Sequence, residues 1–164
     1  MLTKNFYCFL LAVGNKGGTN FGIVDVEGKR YALNSESYVQ SQSIKPFYSM
    51  NKSGYVLFGS GTTPPTPNDI KIESVVSVGI TMPGSVSFNL TDEYMEASCT
   101  YGVQNTSSND ITISEIALYG LATFPALSCT LMYDRTVLDT PITIPAGQSK
   151  QITYTIRFNY GDAV

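Results

Sequence analysis

The sequence predicts an all-β protein, an antiparallel β-sandwich of Ig-like or jelly-roll-like type with a short N-terminal helical anchor. Three observations predict it. Apolar and polar residues alternate with period two in several stretches beyond residue 85, the pattern of strands with one buried and one wet face. Turn-forming residues separate those stretches, as they do between sandwich strands. Beyond residue 14 no stretch of ten or more residues carries apolar side chains at helical spacing.

The elements follow in order. Leu2, Phe6, Phe9, Leu10 and Val13 fall on one face of a helix at i, i+3/i+4 spacing. The apolar run, Phe6 to Val13, is far shorter than the ~20 residues that span a bilayer. Gly14-Asn-Lys-Gly-Gly18 after it lacks the small-x-small pattern of a signal cleavage site. The segment therefore reads as an anchor that docks on its own domain or on a neighbouring subunit, with Phe6, Phe9, Leu10 and Val13 as interface residues. Phe21–Val26 and Lys29–Leu33 flank Glu27-Gly28 as a hairpin. Residues 34–53 are polar and aperiodic and read as a loop, and Tyr55–Phe58 reads as a short strand.

Gly59-Ser-Gly-Thr-Thr-Pro-Pro-Thr-Pro67 is the most heavily punctuated stretch of the chain. Proline fixes φ and offers no N–H to a strand ladder, so this segment is a linker or a rigid contact loop, with Thr63, Pro64, Pro65 and Pro67 as contact residues. Asn68-Asp69 either caps a helical turn reaching Val76 or precedes another strand. Clean alternation then runs through Val86-Phe88-Leu90, Met95-Ala97-Cys99-Tyr101-Val103, Leu127-Cys129-Leu131-Tyr133 and Ile152-Tyr154-Ile156-Phe158-Tyr160. Tyr101, Tyr133, Tyr154 and Tyr160 share the apolar faces and are core candidates. Between two strands, Ser114–Gly120 breaks the alternation, which marks a bulge or one helical turn. The organisation expected is residues 1–58 as anchor helix and hairpin arm, 59–67 as linker or contact loop, and 68–164 as the sandwich.

Composition narrows the chemistry. Charged residues make up 14% of the 164, against about 25% in an ordinary soluble chain, and polarity comes from 17 Ser and 17 Thr. Without a histidine there is no Ser-His-Asp or Cys-His machinery and no His-ligated zinc. A net charge of −3 leaves no electrostatic footprint for nucleic acid, and no apolar run is long enough for a membrane span. Cys8, Cys99 and Cys129 have no metal-ligand spacing. Gly59-Ser-Gly61 is followed by Pro64-Pro65 where a phosphate loop requires Gly-Lys-Ser/Thr. Asp92/Glu93 and Asp134/Asp139 read as solvated turn carboxylates. No catalytic residue, metal or cofactor is expected. Glu115 lies between Ile113 and Ile116; buried there it needs a cationic partner, and Arg135 is the candidate.

Ile113-Ser-Glu-Ile-Ala-Leu-Tyr119, Leu131-Met-Tyr-Asp-Arg135, Ile144-Pro-Ala-Gly147 and Ile152-Thr-Tyr-Thr-Ile-Arg-Phe158 together resemble a module of tailed-bacteriophage virion proteins. The resemblance covers roughly residues 55–160 and departs at Ala117, where that pattern more often has Gly. It implies a non-enzymatic structural subunit, located in the virion as a tail or fibre-attachment component. Its partners would be other virion proteins of the tail, portal and neck or capsid, and copies of itself. The alternatives are a capsid decoration or head-fibre protein and a carbohydrate-binding module that recognises a host glycan. The absence of Trp counts against the last.

Overall fold

A computed structural model describes residues 1–14, 21–33, 46–52, 54–81, 84–124 and 127–159; within these, the side chains at 9, 11–14, 21, 32, 33, 46, 48, 122–124, 127 and 128 lie outside the description. The chain is mostly antiparallel β-sheet. Helix α1 (Lys4–Gly14) precedes the hairpin β1 (Phe21–Val24) and β2 (Arg30–Leu33), and a one-turn helix α2 (Pro46–Met50) precedes β3 (Val56–Gly59). Six strands follow: β4 (Gly79–Thr81), β5 (Ser87–Leu90), β6 (Tyr94–Gln104), β7 (Ile111–Phe124), β8 (Leu127–Ile144) and β9 (Ser149–Asn159). The short α2 lies where a loop is expected. Tyr160 lies outside the described residues, as does 34–45.

One sheet has the order β3-β7-β8. In the other, β6 pairs with β9 along eleven residues and with β4 and β5 along two separate parts of its length. Period-two patterning produces the second sheet directly. Ala97, Cys99, Tyr101 and Val103 of β6 are buried beside Ile152, Tyr154 and Ile156 of β9, and Thr100 meets Thr153 hydroxyl to hydroxyl on the wet face. These side chains form one core with Val56, Phe58, Ile113, Ile116, Leu118, Leu131 and Tyr133 of the first sheet.

The loss of alternation in Ser114–Gly120 has a different cause from a helical turn. All of β7 from Ile113 to Gly120 is buried, because the strand is covered on both faces. Its inner side chains join the main core, while Ala117 and Tyr119 pack outward with Met132 and Ile72 in a second, smaller cluster. A strand buried on both sides has no polar parity to display. Two register shifts accompany this. Between paired positions, Ser114 alone faces residues 138–141 of β8, a bulge around Pro141, which offers no ladder N–H. The second lies between Leu118 and Tyr119.

The N-terminal segment is part of this body. Leu2 bridges Asp134 of β8, the Thr3 amide donates to Tyr133 O at 2.9 Å, and the Asn5 side chain exchanges two bonds with the Val24 backbone. Phe6 is fully buried: its ring stacks on Phe158 at 5.4 Å and meets Phe47 and Tyr133 edge-on. Asn105 closes the β6–β7 turn by donating to Asn109 O and Ile144 O.

Gly120 of β7 lies against the Tyr133 ring of β8. A methyl added there would fall inside the contact distance of the Tyr133 ring, which is fully buried and cannot move aside. Gly120→Ala is expected to destabilise the fold by about 1–3 kcal/mol, read as a lower urea midpoint at unchanged slope. A midpoint equal to that of the parent would show that the ring has room to shift.

Candidate functional site

The most developed polar constellation is built around Arg135. β8 carries Arg135 opposite Ala117 of β7, two positions from Glu115. Both side chains point to the outer face and both are buried, Glu115 completely. Arg135 Nε donates to Glu115 Oε2 at 2.7 Å, Nη1 to Asp69 Oδ2 at 2.9 Å and Nη2 to Glu73 Oε2 at 3.2 Å. A buried guanidinium needs this many acceptors, since its desolvation is costly unless every donor is engaged.

Two of those acceptors come from the chain between Gly59 and Val75, which folds over the outer face of β7. Glu115 is the post to which it is tied. Its Oε1 accepts from the amides of Gly61 (3.0 Å) and Ser74 (2.9 Å), and its Oε2 from that of Glu73 (3.2 Å). Gly59-Ser-Gly61 is thus a cradle after all, for an internal carboxylate. A Cβ at Gly59 would stand 2.6 Å from Glu115 Oε1, and one at Gly61 2.6 Å from Glu73 Cβ, so only glycine admits the carboxylate this close. Tyr119 adds a further tie by accepting from the Ile72 amide at 2.6 Å.

The contact-loop residues lie just outside this tether. Thr63, Pro64 and Pro67 are exposed and Pro65 is half-buried. Thr63 donates through its amide and hydroxyl to Glu73. Thr66 donates likewise to Asp69, while the Asp69 amide returns a bond to Thr66 O. Asn68-Asp69 therefore closes a hydrogen-bonded turn, neither capping a helix nor opening a strand. Despite desolvation, the Thr66 amide and Arg135 hold the Asp69 carboxyl below the usual range. Bonds from Thr63 do the same for Glu73.

The anchor residues divide. Phe6 packs into the chain's own core, whereas Leu10 is 45% exposed beside Tyr7 at 51%. The side chains of Phe9 and Val13 lie outside the described residues. The structure brings Glu115 and Arg135 together, and Phe6 lies apart from them.

Asp134 corrects the expectation of a solvated turn carboxylate. It lies in β8, 4% exposed, inside the core. It accepts from the Tyr154 hydroxyl and from Thr136 Oγ1, and the Met1 amino group lies 3.0 Å away. The Tyr154 bond joins the two sheets. Asp92 and Glu93 are exposed in a turn, beside a cleft of about 470 Å³ that Tyr94, Arg157 and Asn159 also line. There the Arg157 guanidinium covers the Tyr94 ring at 4.2 Å and pairs with Glu96 at 2.8 Å.

The cysteines are free. Burial raises the Cys8 thiol and pushes Cys129 up to about 11, so neither is a ready thiolate. Among the described residues no group of three acidic, Cys or His side chains is placed to hold a metal, and no helix is long and apolar enough to cross a membrane. Comparison with protein-family models, with curated proteins and with solved structures gives no significant match in any of the three.

Nothing in the sequence pattern marks Asp69, Glu73 or Tyr154 as partners of β8. The available signal is scarcity: in a chain this poor in charge, a strand carrying adjacent Asp134 and Arg135 must bury or pair them.

Removing the guanidinium leaves Glu115 buried without a counter-charge. Arg135→Met is expected to cost about 3–5 kcal/mol in urea unfolding. Asp69, lowered in the folded state, contributes stability that is fully present above the unfolded value of about 3.9 and is lost as pH falls through the folded value. Acid titration of the unfolding free energy should show this loss in the parent chain and a weaker one in Arg135→Met. An Arg135→Met protein as stable as the parent would show that the cluster does not hold the loop.

Proposed function

We propose that this protein is a non-enzymatic structural subunit of a tailed-phage virion, a tail or fibre-attachment component built on an antiparallel β-sandwich of Ig-like or jelly-roll-like type. It is held in place by symmetric contacts with other virion proteins and with its own copies. The observation that carries the reading is where the polar and apolar groups are used. The strongest polar groups, Arg135, Glu115, Asp134, Tyr154 and Asn105, are engaged in folding. Large apolar groups meanwhile stand outside: Leu90 is 68% exposed, Val75 61% and Phe88 57%. Phe88 and Leu90 project from the same side of β5, and with Tyr7 and Leu10 of α1 they offer apolar contact area that suits protein–protein association. The four segments that resemble a phage virion module lie on β7, on β8 and the turn after it, and on β9.

The glycan alternative needs a free aromatic face for stacking, and in the cleft beside Asp92 the Tyr94 face is occupied by Arg157. Capsid decoration differs from the tail assignment in copy number.

Mass spectrometry of purified virions is expected to find the chain at a low copy number matching a cyclic symmetry. A number in the hundreds would move it to the capsid, and its absence would overturn the proposal. Leu90→Ser and Leu10→Ser should change stability by no more than about 0.5 kcal/mol while lowering incorporation. Undiminished incorporation of both would remove these residues from the interface.

A further inference from the structure

We propose that the cleft between the first turn of α1, the β1–β2 hairpin and the turn at 67–70 is a binding site for a single carboxylate on a short, partly aliphatic body. An aspartate or glutamate side chain fits that description. This inference does not depend on the virion reading.

The cleft measures about 530 Å³ and is lined by Lys4, Asn5, Val24, Arg30, Asp69 and Ile70, among others, within the range of small-ligand sites. Two cations line it without an acidic partner among the described residues. Arg135 and Arg157 are paired with acids and Lys29 lies over the Tyr31 ring. Lys4 and Arg30 are exposed, and neither meets an acid among the described residues. Both line the same concave surface, where two cations raise the local concentration of an anion.

The acid in the wall does not cancel them. Both Asp69 oxygens are occupied, by the Thr66 amide, the Thr66 hydroxyl and Arg135. The rest of the frame is fixed: the Asn5 side chain is locked to Val24, and the Lys4 amide donates to Pro67 O at 2.8 Å. The Asn5 amide, in the first turn of a helix whose dipole favours anions there, is on a buried residue and makes no hydrogen bond to a described residue.

The donor set selects the ligand. A phosphate dianion needs several converging N–H groups, and here one helix amide is free and its neighbour is spent on Pro67. One amide, one forked guanidinium and one ammonium suit a monoanionic carboxylate, and Val24, Pro67 and Ile70 suit an aliphatic body.

The test is a titration of the full ¹⁵N-labelled chain with N-acetylglutamate α-methylamide, whose one carboxylate is the side chain's, with N-acetylglutamine α-methylamide as neutral isostere and inorganic phosphate as the competing oxyanion. Saturable shifts are expected at the amides of Lys4, Asn5, Gly28 and Arg30 with the glutamate methylamide alone. Arg30→Gln and Lys4→Gln should each weaken binding about ten-fold or more with the remaining amide spectrum unchanged. No saturable shift, equal binding of the glutamine methylamide, phosphate binding as tight as the carboxylate, or two variants that bind like the parent would each overturn the assignment. The virion inventory reads the structural role separately.

Discussion

A guanidinium buried between two strands and a loop sets the terms for the outer half of this molecule. Arg135 is 4% exposed, and a cation so placed persists only if acceptors reach it from every side. β7 supplies one through Glu115, and the other two come from Asp69 and Glu73 in a stretch of chain with no regular structure. That stretch must therefore lie across the sheet. Once it does, Ile72 covers Ala117 and Tyr119, and β7 becomes a strand buried on both faces. The Pro-rich loop inherits its rigidity from the same source, because Thr63 and Thr66 are held by the carboxylates that Arg135 holds.

The inner half follows a different logic. It is held by alternation in β6 and β9 and by aromatic rings that cross from one element to the next: Phe88 to Phe47, Phe47 to Phe158, Phe158 to Phe6 and Phe6 to Tyr133. Edge-on and stacked contacts of this kind add to the area they bury. Through them the N-terminal helix shares a core with the last strand. An apolar leading segment that looks detachable in sequence is bonded to β8 through Leu2 and Thr3 and to β1 through Asn5. Its exposed Tyr7 and Leu10 are thereby presented from a fixed support.

This division explains what could be read from the residues alone. β6 and β9 were legible because each has one wet face, so parity in the sequence equals position in space. The hairpin at Glu27-Gly28 was legible from its turn, where Gly28 has φ +83°. β7 and β8 were only half legible: their alternation fails where the second layer covers them, and a strand covered twice resembles an interruption. The pairing of Glu115 with Arg135 could be anticipated from the cost of a lone buried charge. Asp69 and Glu73 could not, because their role depends on a loop crossing the sheet and leaves no period behind. Asp134 was misread for a related reason. It sits next to Arg135 and near a turn-like Asp139, yet β8 runs unbroken to Ile144, which puts Asp134 inside and Arg135 outside.

Scarcity of charge links these halves to the surface. Of 23 charged residues, 10 basic and 13 acidic, the best-engaged are turned inward or tied into turns, as Asp25 is by the Glu27 and Lys29 amides and the Tyr31 hydroxyl. Among the described residues the exposed surface mixes hydroxyls with charges of both signs, and apolar side chains stand out on it singly or in pairs. On such a surface broad electrostatic attraction is weak, and recognition falls to shape and apolar contact. Lys4 and Arg30 line one cleft with no acidic partner among the described residues, and the carboxylate in its wall, Asp69, is already held by Thr66 and Arg135. With that carboxylate engaged, a single added anion meets Lys4 and Arg30.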